Sequence, residues 1–158
     1  MSKYYTLLGK IEPPKITVDD IVWYQPNGYT LFVGIPKFDL REWVRNLIQV
    51  RFTDIIFLKS CSKDIILPHT DDGNRQAALN IPFSGDFSKS GCEWWCNGKS
   101  VARMISDEAA LLDVTKSHNP FNFSTEDRIV ASVSFTPPWT YQELRDIHLQ
   151  GKLLKNNK

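Results

Sequence analysis

In Pro68-His69-Thr70-Asp71 an imidazole and a carboxylate stand two residues apart. In a strand that spacing puts both side chains on one face, together with Ile65 and Leu67. Such a pair either makes a simple His–Asp hydrogen bond or supplies two ligands of a metal site. The chain has only three histidines, so a third ligand is His118 or His148. His148 falls on a predicted terminal helix, and His118 fits better. Two imidazoles and one carboxylate form a facial set that suits non-haem Fe(II) and leaves coordination positions open. Arg128 heads the segment 128–135, in which Arg128, Val130, Ser132 and Ser134 alternate with Ile129, Ala131, Val133 and Phe135. An arginine at the head of an apolar strand is costly unless it meets an anion. Asp113 and Asp127 are the candidates within the chain, and a ligand is the alternative.

The elements that must position these groups read as mostly β. Runs rich in β-branched and aromatic residues recur at 16–23, 29–35, 53–58, 64–71, 77–83, 92–96, 100–105, 109–115 and 128–135, separated by Gly, Pro, Asn and Ser. Short strands at that spacing predict an antiparallel sandwich or barrel. Asn97-Gly98 predicts a type I′ hairpin turn between two of them. Trp94 and Trp95 then point to opposite faces, one of them into the core. Leu40, Trp43, Val44, Leu47 and Ile48 recur at helical steps, predicting a buttressing helix over 39–49 capped by Asp39. Pro137-Pro138 stops the last strand, and the Thr140/Glu143 spacing of a capping box starts a helix ending near Leu149.

A length of 158 residues predicts one domain spanning 1–158. Lys plus Arg is 19 and Asp plus Glu is 18, a net charge of +1 that argues against a polyanion binder working by bulk charge. Three cysteines, Cys61, Cys92 and Cys96, cannot close a four-ligand zinc site, and Cys92 and Cys96 share one strand face. The first residues lack a secretory pattern, so a reducing, cytoplasmic location is expected. The apolar runs fall far below the ~20 residues of a membrane span, so no membrane partner is expected.

Pro68-His69-Thr70-Asp71, Leu79-Asn80-Ile81-Pro82, Trp95-Cys96-Asn97-Gly98-Lys99, and the segment 111–118 ending in His118 with Arg128 ten residues on, carry a resemblance. In order and spacing they resemble the 2-oxoglutarate- and Fe(II)-dependent dioxygenases of double-stranded β-helix (jelly-roll, cupin-like) fold with peripheral helices. The resemblance spans about residues 64–135 and is most like the aspartyl/asparaginyl β-hydroxylase-like branch and related small hydroxylases. It implies that His69, Asp71 and His118 bind Fe(II) as the catalytic set, and that 2-oxoglutarate chelates the metal beside a position for O2. Arg128 would anchor the distal carboxylate of 2-oxoglutarate through its guanidinium fork, with Ser132 adding a hydrogen bond. Asn80 would touch cosubstrate or substrate, or be structural. Arg75 would hold 2-oxoglutarate, meet an acidic substrate group, or be solvated. The implied reaction hydroxylates an aliphatic C–H, releasing succinate and CO2. The implied substrate is a protein or peptide side chain (Pro, Asp or Asn), a free amino acid or another small molecule, met through 72–76, 84–90, 119–125 and the N-terminal third. Some members of that branch replace the carboxylate by glycine, whereas this chain keeps Asp71. A nucleic-acid-modifying dioxygenase would carry a second arginine six residues after Arg128. Ser134 stands there instead, so nucleic acid is disfavoured. A non-catalytic cupin-like protein binding a small carboxylate is the alternative from another class.

Overall fold

Alternating apolar and polar residues, interrupted by turn formers, bury one face at a time, which antiparallel sheets allow. The computed structural model describes residues 2–26, 30–64, 66–71 and 75–155. Along the chain come β1 (Tyr5–Leu7), β2 (Ile21–Tyr24), β3 (Phe32–Pro36), helix α1 (Arg41–Leu47), β4 (Phe52–Ser60), β5 (Ala77–Ser84) and β6 (Ser90–Cys96). They are followed by β7 (Lys99–Met104), β8 (Ala110–Asp113), β9 (His118–Asn122), β10 (Arg128–Phe135) and helix α2 (Tyr141–Leu149). A larger sheet has the order β1-β8-β5-β10-β4-β3-β2 and a smaller one the order β7-β6-β9. From β4 onward the chain keeps crossing between the sheets: β4 and β5 in the larger, β6 and β7 in the smaller, β8 back, β9 across, β10 back. That winding is a double-stranded β-helix, the jelly-roll architecture expected from the sequence.

Period 2 decides what each face buries. Ile129, Ala131, Val133 and Phe135 of β10 join Leu79, Ile81 and Phe57 under Val44 of α1 and Tyr141 and Leu144 of α2, forming a core outside the larger sheet. Between the sheets a second core gathers Ala78, Cys92, Trp94, Met104, Ala110, Leu112 and Val114. Trp94 is fully buried and its indole N–H donates to the Asp113 carbonyl at 2.9 Å, whereas Trp95 donates to Asn119 Oδ1 at 2.6 Å. The Asn97-Gly98 hairpin forms as predicted, with φ of 52° and 75° and Cys96 paired to Lys99.

Helix α2 begins at the predicted cap, where Thr140 Oγ1 accepts from the Glu143 N–H. Helix α1 is shorter than the 39–49 prediction and its N-cap is Leu40, although the Asp39 carboxylate still accepts from the Arg41 N–H. The 16–23 prediction becomes one 3-10 turn (Val18–Asp20) followed by β2. The predicted strand over 64–71 is not a strand in the described residues: it meets the smaller sheet at one bridge, His69 to His118, and at one hydrogen bond from the Asn122 N–H to the Asp64 carbonyl. Leu67, expected to line an apolar wall, is 79% exposed. Ile65 and Asp72 to Asn74 lie outside the described residues, as does Tyr29 in the predicted 29–35 strand.

Candidate functional site

The bridge that replaces the predicted strand is also what assembles the site. The His69 N–H donates to the His118 carbonyl and the His118 N–H to the His69 carbonyl, both at 2.9 Å. This two-bond pairing fixes the two Cα atoms opposite each other and brings the imidazole centroids to 4.7 Å. Two residues on, the Asp71 N–H donates to the Val114 carbonyl at 3.0 Å, which points its carboxylate back at the pair. Asp71 Oδ1 lies 3.7 Å from His69 Nε2 and 3.4 Å from His118 Nε2. The three ligand atoms all fall within 4.8 Å of one another, a group able to hold a metal ion.

The other ring nitrogens orient the rings. His69 Nδ1 lies 3.0 Å from the Leu67 carbonyl and His118 Nδ1 2.8 Å from the Lys116 carbonyl. A carbonyl only accepts, so each Nδ1 is the donor, and Nε2 is the nitrogen that each ring turns toward Asp71. Lone pairs on two imidazoles facing a carboxylate repel unless a cation stands among them. That cation is either a proton on an imidazole or a metal ion, and metal-binding histidines are commonly oriented by such Nδ1–H bonds. Burial pushes the Asp71 carboxyl up, but the hydrogen bond with His118 and the charges of Arg75, His118 and His69 outweigh it and hold the group below its ordinary value.

The three residues open onto a cavity of about 160 Å³ that Arg128, Asn80, Arg75, Cys92, Leu112 and Val130 also line. Arg128 is 6% exposed and its Nε is buried without a hydrogen-bond partner. Among the described residues no carboxylate pairs with it. Asp113 accepts from Thr115 instead, and Asp127 from the Ser62 N–H. Burial therefore pulls the Arg128 guanidinium below its ordinary range, countered only by the neighbouring Cys92. The Phe87 ring lies 5.6 Å from the guanidinium carbon. Local backbone aims the side chain: a bulge shifts register so that Ile129 faces Ser84 and Val130 faces Pro82. Pro82, which lacks a donor, sits at that bulge, where its missing N–H is tolerated. A Cβ on Gly85 would lie 2.7 Å from the Asp127 carbonyl, so only glycine lets the chain pass this close to the start of β10.

Of the expected site residues, His69, Asp71, His118, Arg128, Arg75 and Asn80 line this cavity, and Ser132 joins it through Arg75. Asn80 lies beside Ser132 in register, and its side-chain oxygen is buried without a partner. Ser132 is fully buried, and its hydroxyl accepts from Arg75 Nη2 at 2.5 Å. Arg75 is no solvated loop residue: its Nε lies 2.9 Å from Asp71 Oδ2 as an ion pair, with the N–H not aimed along the contact. His148 is on α2, away from the cavity. Cys92 faces the cavity, and burial pushes its thiol up to about 12. The sequence held that signal, since Cys92 shares a strand face with the buried Trp94. Leu31, Ile56, Leu58 and Pro120 complete the lining. Leu31 and Pro120 lie in two of the regions expected to meet substrate, but no local pattern marks either residue.

No family model and no curated protein matches the chain. Among solved structures it is similar to an RmlC-like cupin protein from Ralstonia eutropha JMP134, at 13% identity over 79% of this chain and 69% of that one, with a TM-score of 0.41. It is also similar to HygX from Streptomyces hygroscopicus, solved with nickel, 2-oxoglutarate and hygromycin B bound, at 13% identity over 75% of each chain, with a TM-score of 0.44. At that identity and score, nothing about chemistry passes from either protein to this chain.

Proposed function

We propose that the protein is a 2-oxoglutarate- and Fe(II)-dependent oxygenase that hydroxylates an aliphatic C–H of a peptide side chain, a free amino acid or another small molecule. The observation that carries this reading is the pairing, in one cavity, of a cation-requiring His69/Asp71/His118 group with a buried Arg128 that has no carboxylate partner among the described residues. The first fits a divalent metal and the second a small carboxylate, and 2-oxoglutarate joins the two needs in one molecule.

Iron and 2-oxoglutarate, when bound, supply the oxidising chemistry with O2. The protein's own residues hold and orient. His69 and His118, turned by their carbonyl partners, present Nε2, and Asp71 presents Oδ1. Arg128 offers its fork to the distal carboxylate, and the apolar lining from Leu112 and Val130 excludes water from the same space. The orphaned Asn80 oxygen requires a donor, which fits a hydroxyl or amide of substrate or a bound water.

Anaerobic addition of Fe(II) and 2-oxoglutarate should produce a weak visible charge-transfer band that His69→Ala abolishes, and aerobic protein should form succinate in a 2-oxoglutarate-dependent way. A band without succinate formation or O2 consumption against any pool of peptides, amino acids or small metabolites would leave the non-catalytic carboxylate binder as the better reading. No band and no turnover would refute the proposal.

A further inference from the structure

We infer that Arg75 is a positioning residue, which holds Asp71 as a one-oxygen ligand and ties the metal-binding segment to β10, and that it does not bind the cosubstrate. The inference rests on the metal-centre reading above. Asp71 has two oxygens with different surroundings: Oδ1 faces both histidines, while Oδ2 lies 2.9 Å from Arg75 Nε. The remaining nitrogens of the same guanidinium are engaged too, Nη1 donating to Ser134 Oγ at 3.1 Å and Nη2 to Ser132 Oγ at 2.5 Å. The side chain is 19% exposed, as is that of Asp71. Two nitrogens of the guanidinium thus donate to serines and the third lies in ion-pair contact with Asp71, whereas Arg128 in the same cavity has no described carboxylate beside it.

Two consequences follow from chemistry. A carboxylate free to turn about its Cβ–Cγ bond can offer both oxygens to a metal and occupy an extra coordination position. Pinning Oδ2 on a cation prevents that and leaves Oδ1 as the single ligand atom. The second consequence is mechanical. The 66–71 segment has only one bridge to the smaller sheet, so the arginine braces it from the larger sheet through two serines of the strand that carries Arg128. Metal and cosubstrate positions are thereby set on one rigid frame. Lysine would keep the charge but could not reach three partners with a planar fork.

The test uses Co(II), a spectroscopically visible stand-in for iron, titrated anaerobically into the full chain. Arg75→Gln should weaken Co(II) about 10- to 100-fold, the usual effect of removing a group that orients a ligand, and should move the Co(II) d–d bands. The affinity of Co(II)-saturated protein for 2-oxoglutarate should change less than about threefold, on the scale where tenfold is 1.4 kcal/mol. Arg75→Lys should regain part of the Co(II) affinity. The double variant Ser132→Ala/Ser134→Ala, which keeps the Arg75–Asp71 pair, should shift the bands in the same direction by less. These two variants carry the test should Arg75→Gln not fold. A larger loss of 2-oxoglutarate than of Co(II) affinity overturns the inference, because Arg75 would then be a cosubstrate ligand. Unchanged Co(II) affinity and bands overturn it as well. Wild-type protein that binds no Co(II) overturns both this inference and the oxygenase reading. Wild type that binds Co(II) and 2-oxoglutarate without turnover removes only the latter.

Discussion

Replacing Arg128 by methionine should make the ligand-free protein more stable while nearly abolishing 2-oxoglutarate binding. Arg128 is 6% exposed, its Nε has no hydrogen-bond partner, and no described carboxylate offsets its charge. An uncompensated buried ion costs several kcal/mol, and replacing even paired buried ions with apolar residues of similar volume often stabilises by about 1–4 kcal/mol. Loss of the contact with Phe87 offsets about 0.5–1 kcal/mol of that gain. A net gain of up to about 3.5 kcal/mol remains, and for a chain of this size each kcal/mol moves Tm by roughly 2–4 °C. In the complex the sign reverses. Removing one partner of a buried charge pair costs about 3–5 kcal/mol, which is a loss of affinity of about 10²-fold to 10³-fold or more at 1.4 kcal/mol per decade. Thermal melts without ligand, with Mn(II), and with Mn(II) plus 2-oxoglutarate separate the two effects. Wild type should gain Tm on adding 2-oxoglutarate, and Arg128→Met should start higher and gain nothing. A variant whose ligand-free Tm falls by several degrees, with 2-oxoglutarate affinity within threefold of wild type, would show that the arginine is structural and refute the reasoning.

Four other outcomes are expected. His118→Ala and Asp71→Asn should each lower Co(II) affinity by at least tenfold in calorimetry, since each removes or weakens one of the three ligand atoms that converge among the described residues. Cys96, which is exposed, should be alkylated by iodoacetamide at pH 8 in the native protein, whereas buried Cys92 should react only after unfolding in guanidinium, as mass spectrometry of the labelled peptides will report. Because the Cys92 thiol is pushed up to about 12 in the fold, the native state keeps a proton that the unfolded chain loses near pH 9. Stability should therefore fall as pH rises from about 9 toward 12, and Cys92→Ala should flatten that fall in urea titrations. Trp94→Ala should cost about 3–5 kcal/mol in the same titrations, because the ring is fully buried and its N–H satisfies the Asp113 carbonyl.

What could be read in advance was whatever depended on period 2 within one segment. The split of β10 into an inner face (Arg128, Val130, Ser132, Ser134) and an outer face (Ile129 to Phe135 in alternation) needed only alternation, and the tight hairpin needed only Asn97-Gly98. The segment 64–71 misled because Ile, Ile and Leu favour a strand, yet its described residues form only an isolated bridge with the smaller sheet. Conversely, His118 to Asn122 forms β9 although Asn and Pro discourage it; pairing with β6 overrides local preference. The place of Arg75 was not legible at all. Its serine partners are 57 and 59 residues away in sequence, so only the assembled sheet reveals them.

The bridge between His69 and His118 makes edge fraying and ligand release a single motion. Among the described residues few backbone bonds hold the segment 64–71 to the β8–β9 region: Asn122 N–H to the Asp64 carbonyl at 3.3 Å, the reciprocal histidine pair, and Asp71 N–H to the Val114 carbonyl. Such an edge opens locally far more often than the chain unfolds globally. An ion gripping both imidazoles binds only the closed form and so lowers the open population in proportion to its occupancy. The peptide N–H groups of His69 and His118 should then exchange with solvent deuterium more slowly as metal is added, turning two backbone amides into a direct gauge of how full the site is.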